Sequence, residues 1–112
     1  MKIIDRAKAH FDNLDIKKIN VQEWGDEEGN PLVIYAKPLT LQETSKLYKM
    51  AQEDDMAMLA YVLIYKALDE NGEKLFDLGD KNNLLNKVDR NVLIRVSNEI
   101  MAEQPEAEVK KN

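Results

Sequence analysis

Ten consecutive apolar residues, Met56 to Tyr65 (MAMLAYVLIY), are followed after one lysine by Ala67 and Leu68. A helix built from such a run has no polar side, so it must be covered on every side. In a chain of 112 residues that cover comes either from the rest of one compact domain or from another chain that completes the surface. The run is well short of the ~20 residues needed to cross a bilayer. It also stops at Asp69-Glu70, so its expected place is inside protein.

Composition agrees with a folded, non-membrane chain: 44% hydrophobic and 33% charged residues. There is no cysteine, which removes disulfides, thiolate chemistry and Cys-based zinc sites and is compatible with a reducing cytoplasm. The opening Met1-Lys2-Ile3-Ile4-Asp5-Arg6 has neither a long apolar stretch nor a small-residue cleavage site, so no secretory signal is expected. A net charge of −5 argues against a general nucleic-acid binder, which needs a basic footprint to displace counterions. The charge is uneven: residues 1 to 18 hold five basic and three acidic side chains, which leaves −7 for everything after them.

The expected architecture is a small α+β domain, mostly helical, with one β-hairpin near the N-terminus, spanning residues 1 to 103 and followed by a disordered tail over 104 to 112. Ile3, Ile4, Ala7, Phe11 and Leu14 recur at helical spacing and predict an amphipathic first helix. The period then changes to two. Ile19, Val21 and Glu23 alternate with Asn20, Gln22 and Trp24, and Leu32, Ile34 and Ala36 with Val33, Tyr35 and Lys37, around a Gly25 to Pro31 turn. Thr40-Leu41-Gln42-Glu43 has the capping-box arrangement for a second helix, with Leu41, Leu47, Tyr48 and Ala51 as its buried stripe. The apolar helix is expected from Met56 to Leu68, after an acidic Glu53-Asp54-Asp55 start that suits the helix dipole. Asp80 and Asp89 are candidate N-caps for helices over 81 to 87 and 90 to 102, the latter facing inward through Val92, Leu93, Val96 and Ile100.

Chemistry-bearing constellations are sparse. His10 is the sole histidine and has no cysteine or second histidine to complete a metal set. Ser45 and Ser97 lie within predicted helices without a glycine elbow, and none of the four glycines falls in a phosphate-cradling pattern. Asp69-Glu70-Asn71-Gly72-Glu73 lacks the glycine and glutamate positions of a calcium loop and reads as a helix-terminating turn. The acidic runs Asp26-Glu27-Glu28 and Glu53-Asp54-Asp55 read as solvated loops. No catalytic residue, metal ligand or cofactor is therefore expected. Candidate partner contacts are Trp24, which either plugs the gap between hairpin and helices or anchors a partner, and Met50, Met56, Met58, Tyr61 and Tyr65. Methionines suit adaptable recognition of apolar helices, although at helical spacing they also serve as ordinary core.

Three landmarks stand in a distinctive order: Glu23-Trp24-Gly25 closing the first strand, Pro38-Leu39-Thr40-Leu41-Gln42-Glu43 after the second, and Asp69-Glu70-Asn71-Gly72-Glu73-Lys74-Leu75-Phe76 after the apolar helix. Together, over about residues 15 to 102, they resemble the tail assembly chaperones of long-tailed bacteriophages. The hairpin turn from Asp26 to Pro31 is longer than in that pattern, and an apolar N-terminal helix is not one of its hallmarks. The resemblance implies a non-enzymatic protein of the host bacterial cytoplasm. It would coat the tape measure protein, help recruit tail tube protein during morphogenesis and be absent from the mature virion. Homo-oligomerisation is left open, and neither nucleic acid nor membrane is an implied partner. The family often makes a longer product by frameshifting, and Lys110-Lys111-Asn112 is compatible with a slippery adenine run. The competing reading is an acidic regulatory or inhibitory module that targets a basic protein surface, supported by the net charge and the carboxylate runs.

Overall fold

The computed structural model describes residues 2 to 102. The expected tail and the Lys110-Lys111-Asn112 end lie outside the described residues. Five helices and a two-stranded antiparallel hairpin follow one another: α1 (Ile3–Asp12), β1 (Lys17–Val21), β2 (Leu32–Ala36), α2 (Leu41–Met50), α3 (Asp55–Lys66), α4 (Lys81–Asn86) and α5 (Arg90–Met101). This is the small, mostly helical α+β arrangement that the periodicities imply.

The apolar run becomes α3, and α2, α4 and α5 pack around it, with α5 also resting on β1. Residues Ala60 to Ile64 are all buried. Since successive helical positions are 100° apart, five in a row sample every direction around the axis. The requirement for all-round cover is thus met within this chain. α3 is shorter than the run suggests, ending at Lys66 instead of Leu68. Ala67 takes an extended conformation, and Leu68 pairs its backbone with Tyr35 on one side and bridges to Lys74 on the other. The sheet edge at β2 captures these residues because backbone pairing there satisfies donors and acceptors that another helical turn would leave at the sheet.

In the hairpin Ile19 stands opposite Ile34 and Val21 opposite Leu32. Ile19, Val21, Ile34 and Ala36 form its buried face, as the alternation predicts. β1 stops at Val21, three residues before the predicted end at Trp24, and Gln22–Trp24 form a 3₁₀ turn. The reason lies in the connection. Asp26 accepts the backbone N–H groups of Glu28 and Asn30 on its side chain, and its own N–H donates to the Asn30 carbonyl at 2.9 Å. That closure draws Gly25 so near that a Cβ on it would lie 2.4 Å from the Asn30 carbonyl oxygen.

The capping box at α2 is present, with Thr40 Oγ1 accepting from Glu43 N and Glu43 Oε1 accepting from Thr40 N. Its expected stripe is only half realised. Leu47 and Ala51 are buried, but Leu41 is 87% exposed and Tyr48 is also exposed. Leu41 is the first residue of the helix, and it emerges beyond the reach of α3. Asp54 and Asp89 cap α3 and α5 by accepting two N–H groups each. Asp80 does not cap α4 with its side chain; it accepts from Asp77 N at 2.9 Å and closes the 3₁₀ turn Leu78–Asp80. Val92, Leu93, Val96 and Ile100 all face inward as expected. Between them Ser97 is wholly buried, and its hydroxyl has no partner among the described residues.

Two stability outcomes follow from this packing. Gly25→Ala should lower the urea midpoint by the equivalent of about 1–3 kcal/mol, because backbone must move to admit the methyl group. Gly29→Ala, at φ +90 but in open space, should cost only about 1 kcal/mol; a milder effect at Gly25 than at Gly29 would refute the close approach. Ser97→Ala removes an unsatisfied buried hydroxyl and should stabilise the protein by roughly 1 kcal/mol. A loss of stability there would mean that the hydroxyl has a partner.

Candidate partner-binding surface

Of the six candidate contact residues, Met58, Tyr61 and Tyr65 fall on one side of α3, and Met50 meets Tyr65 in a groove. Met58, Tyr61 and Tyr65 are spaced i, i+3 and i+7 along α3 and therefore share its least covered edge. Met50 joins them from α2, where a groove of about 230 Å³ is lined by Glu43, Lys46, Leu47, Met50, Tyr65 and Lys66. Tyr61 and Tyr65 lie nearly parallel, with ring centroids 6.3 Å apart and 12° between planes. Only the edge of Tyr61 remains accessible, whereas Met58 and Tyr65 are half-buried and Met50 is exposed. The strip is thus mostly seated in the domain and offers a narrow, adaptable apolar rim.

The other two candidates are placed elsewhere. Met56 is 59% exposed but stands at the first turn of α3, rotated about 160° from Met58. Trp24 is half-buried and meets Phe76 edge to face at 6.1 Å and 73°, filling the gap between the hairpin and the segment after α3. That is the plug expected from its position beside Gly25.

Cations surround the tyrosines. Lys74 Nζ lies 4.6 Å from the centre of the Tyr65 ring and Lys81 Nζ 5.3 Å from that of Tyr61, both within cation–π range. Lys66 pairs with Glu43 at 3.1 Å and ties α3 to the start of α2. Glu43 thereby serves both the capping box and this ion pair. Its carboxyl is held below the usual range first by the hydrogen bond from Thr40 N and further by Lys66. Lys46, on the same wall, adds another positive charge at the groove. An acidic protein thus carries a lysine-rimmed apolar strip.

Two charged contacts that sequence reading did not single out hold the frame of this surface. Arg95 on α5 donates both terminal nitrogens to the Glu23 carboxylate, at 2.8 and 2.9 Å, and fastens the 3₁₀ turn before Trp24 to α5. Lys17 donates to the carbonyls of Glu99 and Ala102, at 2.7 and 3.1 Å, and so caps the C-terminal end of α5 from β1. Lys17 stands on the inner side of the strand, in register with Ile19 and Val21. A lysine in phase with buried residues is a legible sign of a specific acceptor. Nothing in the local sequence pairs Glu23 with Arg95, which are 72 residues apart.

A second apolar region lies at the base of α1. Phe11, Leu14 and Ile16 share a cleft with Pro38, Thr40 and Lys66. Beside it is a groove lined by Leu14, Pro38, Leu39, Leu41, Thr44 and Met101. The first two turns of α1 extend beyond this attachment, and Lys2 to His10 are all exposed.

Against family models, curated proteins and solved structures alike, the chain has no match.

The Arg95 contact and the Glu23 backbone hold the Glu23 carboxyl down to about 2, below an unfolded value of about 4.3. The stabilisation from this contact is present above the unfolded value and is lost as pH falls toward 2. Arg95→Gln should consequently flatten the loss of thermal stability between about pH 5 and 2 relative to the unsubstituted protein. Parallel melting curves for the two proteins across that window would exclude the coupling.

Proposed function

We propose that this chain is a non-enzymatic tail assembly chaperone, which covers apolar stripes of a tape measure protein and helps recruit tail tube protein in the host bacterial cytoplasm without remaining in the virion. The observation that carries the reading is the groove in which the exposed Met50 of α2 meets the half-buried Tyr65 of α3, continued along the same edge of α3 by Met58. A tape measure is a very long helical chain whose exposed apolar stripes would aggregate. Methionine and tyrosine side chains at a shallow groove accommodate varied helix faces, because methionine is flexible and polarizable and tyrosine offers a broad rigid surface. Individually weak contacts suffice where many copies line one long chain. The charge of −5 keeps such a complex dispersed. The order of the Glu23-Trp24-Gly25, Thr40 to Glu43 and Asp69 to Phe76 landmarks points the same way.

The acidic decoy reading loses much of its support when the carboxylates are followed to their partners. Asp26 closes the hairpin turn, Asp54 caps α3, and Asp69 accepts the N–H groups of Asn71 and Glu73. One carboxylate of each acidic run, Asp26 and Asp54, thus has local structural work and needs no basic partner to explain it.

The test is co-expression with the tape measure reading frame of the same genome. The protein should move a large share of the tape measure into the soluble fraction, and the complex should survive a rise in salt from about 50 to 500 mM, because apolar contacts are not screened. Met50→Asp, at an exposed position, should greatly weaken this effect with little change in melting temperature. Equal aggregation with and without the protein would reject the chaperone reading, and steep salt release would favour the acidic module.

A further inference from the structure

Two uncovered apolar surfaces of this chain complement each other. α1 carries Ile3, Ile4 and Ala7 on one stripe, with Ile3 69% and Ile4 60% exposed. An isolated helix of ten residues is marginal in water, so a cover for that stripe would stabilise the helix itself. At the base of α1 lies the groove of about 350 Å³ formed by Leu14, Pro38, Leu39, Leu41, Thr44 and Met101, with Leu41 and Met101 exposed. Its walls come from the α1–β1 connection, the entry to α2 and the end of α5.

α1 is poorly placed to fill the groove of its own chain. Asn13 N donates to the carbonyls of Ala9 and His10, and Leu14 N donates to that of Phe11, which closes the end of the helix. Phe11 and Leu14 are then both seated against the body. Between the last helical residue, Asp12, and Leu14 there is a single residue, too little chain to reverse a helix about 15 Å long without undoing that closure. The arm itself, residues 2 to 10, holds three basic and one acidic side chain against −7 for the chain after it, so attraction between arm and body offsets part of the repulsion between two copies of net charge −5.

We propose that the first two turns of α1 dock in the Leu41 groove of a second copy, and that the exchange is reciprocal, giving a two-fold dimer. Each copy supplies one arm and one groove, so the assembly closes at two. Counting both sides of both contacts, a helix face of this size buries on the order of 1,000 Å², at the low end for a specific interface. The dimer is accordingly concentration-dependent. The proposal is independent of the chaperone reading, since it uses neither Met50 nor Tyr65 and needs no other protein.

Sedimentation velocity on the full chain from about 1 to 200 µM should show monomer passing to dimer. Ile4→Asp and Leu41→Asp should each weaken association by about tenfold or more, with the melting temperature of the dilute protein unchanged because both side chains are already exposed. Mixing the two variants should partly restore dimers, since one retains a sound arm and the other a sound groove. The chain has no cysteine of its own, so Ile4→Cys mixed with Leu41→Cys should give a covalent heterodimer on mild oxidation. A monomer throughout the range, or a dimer indifferent to Leu41→Asp, would overturn the proposal. So would failure of the mixed variants to associate, which would indicate pairing of α1 with α1. Removal of residues 103 to 112 should leave association unchanged; loss of the dimer on their removal would assign the contact to the C-terminal end and reject the exchange.

Discussion

A helix without a polar side has to be enclosed, and the enclosure of α3 determines where nearly everything else in this protein can go. Three helices and a hairpin are a small amount of material for the purpose. α2, α4 and α5 pack around α3, while β1 lies outside α5 and β2 closes over the exit through the Tyr35–Leu68 pairing. The enclosure is complete at Ala60 to Ile64 and thins toward Met58 and Tyr65. A domain of this size buries only part of its unfolded surface, so some apolar area must remain at its edges. Here it remains at places that have a recurring chemistry: methionine and tyrosine next to lysine on one side, isoleucine and leucine at the base of α1 on the other.

The charged residues divide between two tasks. Many of the carboxylates hold turns and helix starts together, through Asp26, Asp54, Asp69 and Asp89, and they contribute net charge as a by-product of local structure. The long-range pairs do something different. Lys17 to the end of α5, Arg95 to Glu23 and Lys66 to Glu43 each join elements distant in sequence. The Arg95–Glu23 pair is exposed, and such a pair contributes little to stability taken singly; its value lies in fixing orientation. The Arg95 contact is two-pronged and planar, so it sets the direction in which the Glu23 to Trp24 turn leaves the hairpin. Trp24 can then meet Phe76 at its edge.

How much was legible in the sequence depended on whether the deciding contact was local. The helix caps at Thr40 and Asp89, the period-two face of the hairpin and the inner face of α5 are all set within a few residues, and each was readable; Asp54, read only as part of an acidic helix start, caps α3, and the cap expected at Asp80 is lost to the turn it closes with Asp77. The end of α3 was not, because Ala67 and Leu68 are apolar enough to continue the helix and are diverted only by the β2 edge, some thirty residues back in the chain. The stripe on α2 failed at Leu41 for a related reason. Helical phase says which side a residue faces, but not whether a neighbour extends far enough to cover it. Of the candidate contact residues, Met58, Tyr61 and Tyr65 came together because their spacing is intrinsic to one helix, and Met50 joined them through tertiary packing that no pattern in the sequence specifies.

The two apolar edges differ in a way that bears on their use. At the Met50 and Tyr65 groove the neighbouring charges are already partly engaged, with Lys66 on Glu43 and Lys74 and Lys81 over the rings. An incoming helix could add to these contacts without stripping them, which suits repeated, weak and variable binding along a long partner. At α1 the exposed stripe consists of branched aliphatic side chains on a helix that needs external cover, which suits one defined counterpart. Adaptable side chains favour many partners, while stiff side chains on a projecting arm favour a single one. The two surfaces adjoin along α2, where Glu43 and Lys66 line both the Met50 groove and the cleft at the base of α1, while Leu41 and Met101 lie only on the α1 side.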